Sequence, residues 1–217
     1  MVINMSFKHI VWDWNGTLLN DAEACTKSIN LILEKRNLKT ITVEDYRAQI
    51  QFPVIKMYED SGFDFSAESF DDLSEEYIEN YLNLFDDIAL HEDALDVLQG
   101  FKKQGLKQHI VSASGIDILR RQVELYNLNE FFTHILGQEN NRGDSKVHLA
   151  HELLKYIDCN PKDVLFIGDT PHDYEVASKA GFDCRLVSNG HSSKERLEET
   201  GALVYSNLNE LYKDIGF

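Results

Sequence analysis

The amino-acid sequence predicts an α/β fold in which a doubly wound parallel sheet forms the core and a helical segment is inserted into it. Short apolar runs alternate with helical patterns at the start of the chain and again after residue 90, and such alternation is typical of a parallel sheet with helices on both faces. Residues 20–87 are instead helical and acidic, without a convincing strand. We therefore predict a core domain formed by residues 1–19 and 88–217, and an α-helical cap domain formed by residues 20–87.

Five short runs rich in β-branched and aromatic residues are the predicted strands. They are FKHIVW (7–12), LKQHIVS (106–112), FTHILG (132–137), DVLFIG (163–168) and CRLVS (184–188). Around them, apolar side chains recur at helical spacing, and Gly105 and Gly181 end two of the predicted helices. These helices cover residues 21–37, 92–105, 116–127, 144–157, 171–181, 193–201 and 208–215. Within the insert, Phe70, Tyr77 and Tyr81 form an aromatic stripe that predicts a helix with a buried face.

Charge and cysteine content restrict the functions that this chain can have. It has 217 residues, 43% of them hydrophobic, and a formal net charge of -16, which disfavours binding to nucleic acid or to an anionic membrane. A phosphate group would have to be bound by a local metal ion, a lysine or backbone N–H groups. Cys25, Cys159 and Cys184 lack C-x-x-C spacing, and we find no signal peptide or membrane-spanning apolar run, so we expect a cytoplasmic protein. The oligomeric state stays open, as does the choice between Met1 and Met5 as the first residue.

Polar side chains follow three of the predicted strands. Asp13, Ser112 and Asp169 stand at strand ends, and Lys146 opens a predicted helix near the same edge. Because ligands bind beyond the carboxyl ends of parallel strands, we expect these four side chains to form one site. Carboxylate oxygens suit Mg²⁺, lysine neutralises phosphate, and an aspartate can attack phosphorus as a nucleophile.

Four segments carry a recognisable series of motifs. DWNGTLLND resembles the pattern D-x-D-G-T-L, IVSAS resembles a strand ending in Ser or Thr, GDSKVHLAHELL supplies a lysine, and GDTPHDYEVASKAG resembles G-D-[ST]-x-x-D. In this order they resemble the haloacid dehalogenase-like superfamily, in its phosphoglycolate phosphatase-like branch. The resemblance spans essentially the whole core and implies a Rossmann-like core with a mobile cap. It also implies a Mg²⁺-dependent phosphoric monoester hydrolase that acts on a small phosphorylated metabolite.

The same resemblance implies how the phosphoryl group is handled. Asp13 would be the nucleophile and would carry the phosphoryl group as an aspartyl phosphate. Ser112 and Lys146 would bind the transferring group, and the backbone N–H groups near Gly16 and Ala113 would add donors.

The resemblance further implies a metal site. Mg²⁺ would bind the carboxylates of Asp13 and Asp169 and the backbone carbonyl of Asn15. Thr17 and Asp173 would lie next to these ligands and hold them in position. In the insert, Arg47, Gln51 and Lys56 lie where related proteins often present substrate contacts.

Asn15 departs from the motif, in which a second aspartate acts as general acid and base. An amide cannot move a proton at neutral pH, and such acid–base help is typically worth ~10²–10⁴ in rate. The chain is therefore interpreted first as a phosphatase that is slow or suited to good leaving groups. Deamidation of Asn15, which precedes Gly16, would restore the aspartate.

Two further hypotheses stay open. The scaffold could serve as a binding or regulatory protein that does not turn over its ligand. It could instead cleave C–P bonds, because relatives with that chemistry also lack the second aspartate. Those enzymes need a cap lysine that forms a Schiff base, for which Lys27, Lys35, Lys39 and Lys56 are available.

Overall fold

The computed structural model describes residues 7–215, so the choice between Met1 and Met5 lies outside the described residues. The strands are β1 (His9–Trp12), β2 (Leu19–Asn20), β3 (Ala89–Leu90), β4 (Lys107–Gly115), β5 (Phe132–Gln138), β6 (Val164–Gly168), β7 (Asp183–Val187) and β8 (Leu203–Tyr205). Six of them form one sheet in the order β5-β4-β1-β6-β7-β8, with every neighbouring pair parallel. The predicted doubly wound parallel sheet is thereby confirmed.

Helices cover both faces of this sheet and form the insert. They are α1 (Ala22–Lys35), α2 (Val43–Gln49), α3 (Ile55–Asp60), α4 (Phe70–Asn83), α5 (Ala94–Lys103), α6 (Ile116–Leu125), α7 (Val147–Tyr156), α8 (Pro171–Ala180), α9 (Lys194–Glu198) and α10 (Leu208–Asp214). The first four belong to the insert. Within residues 7–215, no helix combines the length and the hydrophobicity that a bilayer crossing requires.

Alternation along the central strand explains why the sheet is covered on both faces. Ile10 and Trp12 are buried in one hydrophobic cluster, whereas Val11 is buried in a second cluster on the opposite face. The first cluster continues into the insert, where it includes Leu33 of α1 and Leu73 of α4. The insert and one face of the sheet therefore share a hydrophobic core.

A two-stranded ribbon stands where the chain enters and leaves the insert. Strands β2 and β3 pair antiparallel, with Leu19 opposite Leu90 and Asn20 opposite Ala89. No strand was predicted here, because a strand of two residues is too short to show an alternation of apolar and polar side chains. The ribbon lies beside the predicted domain boundaries and satisfies the backbone groups of the two crossing segments.

The chain after β7 differs from the prediction. The helix predicted at residues 193–201 is the shorter α9. It is followed by β8, an unpredicted strand that is the sixth strand of the large sheet. Strand β8 has three residues at the edge of the sheet, and Leu203 in it is 53% exposed. A short, exposed edge strand lacks the buried apolar run by which the other strands were recognised.

Three histidine rings stack side by side across the neighbouring strands β1, β4 and β5. The ring of His109 is stacked between those of His9 and His134, with centroids 5.2 and 5.3 Å away. His9 Nδ1 lies 2.9 Å from His109 Nε2, and His109 Nδ1 is buried without a hydrogen-bond partner among the described residues. Burial lowers the pKa of His109 to about 3, so the folded protein keeps this ring neutral.

Because folded His109 stays neutral, we predict that the protein loses stability in mild acid. Unfolded His109 gains a proton near pH 6.5, whereas folded His109 resists protonation down to about pH 3, so stability falls as the pH decreases through that window. At pH 5 this group alone should lower the free energy of unfolding by about 2 kcal/mol relative to pH 7.5. Urea unfolding at both pH values should show a smaller loss for His109→Gln. The exposed control His148→Gln should behave as wild type, and equal losses in all three proteins would contradict the assignment.

Candidate active site

Three neighbouring strands bring polar side chains to one edge of the sheet. Asp13 follows β1, Asp169 follows β6, and Ser112 lies in β4, which runs on to Gly115 with a break in its pairing to β5 after Val111. The exposed fractions of Asp13, Ser112 and Asp169 are 7%, 1% and 0%, although each is polar. Because the strands are parallel neighbours, their carboxyl ends meet and bring these residues together.

Lys146 immediately precedes α7 and turns its side chain into the same cluster. Its ammonium contacts Oδ1 of Asp13 and lies 2.7 Å from Oδ1 of Asp173, and the side chain is 3% exposed. Burial alone would lower the pKa of Lys146, but the two carboxylates outweigh burial and raise that pKa. Lys146 is therefore a charged cation between two buried carboxylates.

Asp173 is fixed by the first turn of α8. Its Oδ2 accepts hydrogen bonds from the backbone N–H groups of Asp169 and Thr170, at 3.1 and 2.9 Å, and from the Thr170 hydroxyl at 2.7 Å. Thr170 and Asp173 form a capping box, in which each side chain binds the other residue's backbone N–H. With its other oxygen near Lys146, Asp173 positions both the lysine and the segment that carries Asp169.

Asp169 is enclosed by backbone and by two glycines. Its Oδ1 accepts a hydrogen bond from the Thr17 hydroxyl at 2.7 Å, and its Oδ2 accepts one from the backbone N–H of His191 at 2.6 Å. A Cβ atom on Gly16, whose φ is +77°, or on Gly190 would lie 2.2 Å from Oδ2. Glycine is therefore required at both positions, and Thr17 holds the orientation of the carboxylate.

The carboxylates of Asp13, Asp169 and Asp173 form the acidic cluster of the site. One oxygen from each lies within 4.8 Å of the others, and all three residues are buried. Burial raises the pKa of Asp13 and of Asp169, and nearby carboxylates add to this effect, while Lys146 opposes it at Asp13. Three buried carboxylates thus face one ammonium. Oxygen ligands with excess negative charge are what a hard cation such as Mg²⁺ binds, so the donor set fits that ion.

Asn15 is held in one orientation by its side-chain amide. Nδ2 donates to Oδ2 of Asp21 at 2.6 Å and lies 3.2 Å from the Tyr81 hydroxyl, while Oδ1 accepts from the Ser114 hydroxyl at 2.6 Å. The backbone N–H of Gly16 donates to Oδ1 of Asp21 at 2.9 Å. Because that N–H would have to attack the amide during deamidation, these bonds disfavour conversion of Asn15 to aspartate.

Asp21 and His191 form a buried ion pair that the sequence analysis did not identify. Nε2 of His191 lies 2.9 Å from Oδ1 of Asp21, and 170 positions separate the two residues in the chain, so no motif joins them. Burial disfavours both charges, but their mutual attraction outweighs it, and the pKa of His191 is raised while that of Asp21 is lowered. Cys25 completes a compact group of three ligand types, yet the His191 ring, protonated through its pairing with Asp21, has no ring lone pair to offer a metal ion. We interpret this group as a closed ion pair and not as a metal site.

A cavity of about 140 Å³ lies beside Asp13, between the core and the insert. The predicted phosphate-binding residues Ser112, Ala113 and Lys146 line it together with Asn15. The Ser112 hydroxyl also accepts a hydrogen bond from the backbone N–H of Ser114 at 3.1 Å, which fixes the end of β4. The N–H of Gly16, by contrast, is bound to Asp21 and is not available to a phosphate.

The structure places Arg47, Gln51 and Lys56 outside the lining of this cavity, contrary to the expectation that they contact the substrate. Nε of Arg47 donates to the backbone carbonyl of Gly190 at 2.8 Å and ties the insert to the loop after β7. Gln51 donates to Asp60 at 2.8 Å within the insert, and Lys56 is exposed to solvent. The polar groups of these residues therefore lie on the surface of the insert or contact the core.

The core and its site define an α/β enzyme with a cluster of buried carboxylates at the carboxyl edge of a parallel sheet. The chain belongs to the haloacid dehalogenase-like hydrolases, because the sequence model of that family matches residues 10–187. The matched range includes the insert and the whole acidic cluster. The resemblance drawn from the four motifs is thereby confirmed.

Relatives of known name match over nearly their whole length. Pyrophosphatase PpaX of Bacillus cereus (strain Q1) is 26% identical over 191 residues, which are 85% of this chain and 84% of that relative. A solved structure described as a predicted phosphatase from Clostridium acetobutylicum has a TM-score of 0.80 at 21% identity and covers 96% of this chain and 98% of its own. A predicted phosphoglycolate phosphatase from Haemophilus somnus has a TM-score of 0.74 at 17% identity, with 96% and 97% covered. At these identities the two structures establish a shared fold.

Replacing Asn15 by Asp is expected to destabilise the protein rather than to restore the common motif. The new carboxylate would face that of Asp21 across the present 2.6 Å contact, and an uncompensated buried charge costs roughly 3–5 kcal/mol. Urea unfolding at pH 7.5 should show a loss of about 3 kcal/mol, with partial recovery when Asp21→Asn is added. The exposed control Asn129→Asp should stay within about 0.5 kcal/mol of wild type. An Asn15→Asp variant as stable as wild type would contradict the electrostatic argument.

Proposed function

We propose that the chain is a Mg²⁺-dependent phosphatase that hydrolyses a small phosphorylated metabolite through a phospho-Asp13 intermediate. The observation that carries the proposal is the contact of buried Asp13 with Lys146 at the end of β1, beside a second buried carboxylate, Asp169. The proposed nucleophile, its neutralising cation and a second carboxylate thus lie together at one edge of the sheet. The name pyrophosphatase of the Bacillus cereus relative supports chemistry at a phosphate group.

The acidic cluster would hold the metal ion. Asp13, Asp169 and the backbone carbonyl of Asn15 would be its ligands, and Asp173 and Thr17 would keep the carboxylates in place. When bound, Mg²⁺ offsets the charge of phosphate oxygens and reduces their repulsion of the attacking carboxylate.

Phosphoryl transfer to the protein is the first step. A carboxylate oxygen of Asp13 forms a bond to phosphorus, and the bond between phosphorus and the leaving oxygen breaks. Lys146 serves this step twice, because it opposes the rise that burial causes in the Asp13 pKa and it neutralises the transferring group. The Ser112 hydroxyl and the Ala113 N–H would bind the remaining phosphoryl oxygens.

Hydrolysis of phospho-Asp13 is the second step. A water oxygen attacks phosphorus, the bond from phosphorus to the Asp13 oxygen breaks, and the water proton passes to the departing phosphate. Asn15 cannot accept that proton. We therefore propose a turnover ~10²–10⁴ slower than an aspartate at this position would allow in a compatible site.

The helical insert would act as the cap of this site. The ring of Phe52 stacks on that of His172 with centroids 4.9 Å apart, next to the acidic cluster, and Arg47 binds the loop after β7. Such a cover excludes water from the reacting groups. We place the reaction in the cytoplasm, since Cys25, Cys159 and Cys184 are free thiols.

The C–P cleavage hypothesis loses support from the positions of the insert lysines. A Schiff base requires a lysine that reaches the substrate carbonyl, but the four candidate lysines are all exposed and none lines the cavity. These are Lys27, Lys35, Lys39 and Lys56. The non-enzymatic binding hypothesis differs from our proposal in predicting no turnover.

Phosphate release should depend on both Mg²⁺ and Asp13. With a panel of small phosphomonoesters, wild-type protein should release phosphate, chelation by EDTA should abolish the release, and added Mg²⁺ should restore it. Asp13→Asn should lower the rate at least ~10³-fold, because the amide cannot form the phosphorylated intermediate.

The matched control is Asp86→Asn, which removes an exposed carboxylate from the insert and should retain wild-type rates. Circular dichroism would verify that each variant is folded. Absence of Mg²⁺-dependent release from the whole panel by folded wild-type protein would rule out the proposed activity and favour the binding hypothesis.

A further inference from the structure

The side of the cavity that faces Asp13 is formed by uncharged residues of the insert. Within the described chain, no insert residue in the lining carries a formally charged side chain. Six of these residues are aromatic: Tyr46, Phe52, Tyr58, Phe70, Tyr77 and Tyr81. Flat apolar rings are complementary to a flat apolar group, and aromatic pairs add about 0.5–1.5 kcal/mol beyond the burial of area.

The cations that reach the cavity are already paired. Lys146 is bound to the two carboxylates described above. Arg142, the other lysine or arginine in the lining among residues 7–215, places Nη1 2.5 Å from Oδ1 of Asp71, and its guanidinium lies over the Phe70 ring, 5.5 Å from the centroid. A leaving group with a second negative charge, such as phosphate or a carboxylate, would have to compete with Asp71 for Arg142, or with Asp13 and Asp173 for Lys146.

Proton donors are engaged in the same way. Besides Asp13, the carboxyl and imidazole groups in the described lining are Asp173, His172 and His191. Asp173 binds the Lys146 ammonium, and His191 binds Asp21. Nε2 of His172 accepts from the backbone N–H of Lys146 at 3.4 Å, and its Nδ1 lies 3.2 Å from Glu175. Asn15 has no proton to give either, and burial raises the pKa of the four lining tyrosines, so the leaving group departs as an anion.

We infer that the substrates are monoesters of phenol-type alcohols, with an uncharged aromatic leaving group; this inference rests on the proposed function. A phenol has a pKa of about 10, as tyrosine does, whereas an aliphatic alcohol is a far weaker acid, nearly as weak as water. An Asp13 oxygen bonds to phosphorus, the P–O bond to the aryl group breaks, and the electron pair leaves on the aryloxide. Water protonates that oxygen after release, so the lost acid is not needed.

Specificity constants with Mg²⁺ test this assignment, because kcat/KM reports the steps up to release of the alcohol. Phenyl phosphate and cyclohexyl phosphate are matched in size, and phosphoglycolate and pyrophosphate add a second charge. The value for phenyl phosphate should exceed each of the other three at least 100-fold. It should rise further through 4-chlorophenyl to 4-nitrophenyl phosphate as the phenol becomes more acidic.

A pair of substitutions on α4 tests the role of the uncharged lining. Ile78 lines the cavity, whereas Leu82, one turn further on, is 41% exposed and does not line it. Ile78→Lys should lower the ratio of kcat/KM for phenyl phosphate to that for phosphoglycolate at least tenfold. Leu82→Lys, with the same added charge, should leave the ratio unchanged. As a measurement that needs no variant, phenylphosphonate should inhibit wild-type protein more strongly than phosphonoacetate.

The outcomes separate this inference from the proposed function. Mg²⁺-dependent hydrolysis of phosphoglycolate or pyrophosphate with a kcat/KM equal to that for phenyl phosphate would overturn the aryl assignment and leave the phosphatase proposal intact. Stronger inhibition by phosphonoacetate than by phenylphosphonate would overturn it as well. No Mg²⁺-dependent hydrolysis of any ester, aryl phosphates included, would overturn both.

Discussion

One buried ammonium group opposes the charge repulsion within the acidic cluster. Asp13, Asp169 and Asp173 repel one another, and burial by itself would favour their neutral forms. Lys146 opposes both effects, because it contacts Asp13 directly and lies 2.7 Å from Asp173. Burial still raises the pKa of Asp13, and an ionised Asp13 is the form that can attack phosphorus. The contact that stabilises the buried cluster is therefore also the contact that favours the reactive form of the proposed nucleophile.

A second buried ion pair joins the insert to this cluster. Asp21 stands at the start of the insert, and His191 stands in the loop after β7, where its backbone N–H binds Asp169. Tyr81 donates to Asp21 at 2.8 Å, and the Tyr46 hydroxyl lies 3.2 Å from His191, so helices α2 and α4 contact the same pair. Separating the insert from the core at this point would break this ion pair and the hydrogen bond between Tyr46 and His191, which opposes opening. The cover of the site is thus coupled to the orientation of Asp169.

The sequence predicted what depends on strand order and on local chemistry. Parallel strands must end at one edge, so Asp13, Ser112 and Asp169 could be grouped before any coordinates, and Lys146 followed from its position before a helix. Pairing between distant positions could not be predicted in this way. Asp21 and His191 carry no local pattern. Arg47, Gln51 and Lys56 were predicted to contact substrate only by analogy with related proteins, without a pattern in this chain to support it. Strand β8 was missed because a short edge strand buries too little to show a period.

Asn15 connects these observations physically. Its amide donates to Asp21, which is negatively charged because it pairs with His191, and a carboxylate at position 15 would face that charge at hydrogen-bond distance. An amide at position 15 therefore suits the ion pair that holds the insert, whereas a carboxylate would be repelled by Asp21. An amide, however, cannot protonate a leaving group, and the aromatic, uncharged lining of the insert provides no substitute. The packing of the insert is in this way linked to the proposed class of substrate. An asparagine that suits the Asp21–His191 pair leaves the proposed reaction dependent on a leaving group that needs no proton.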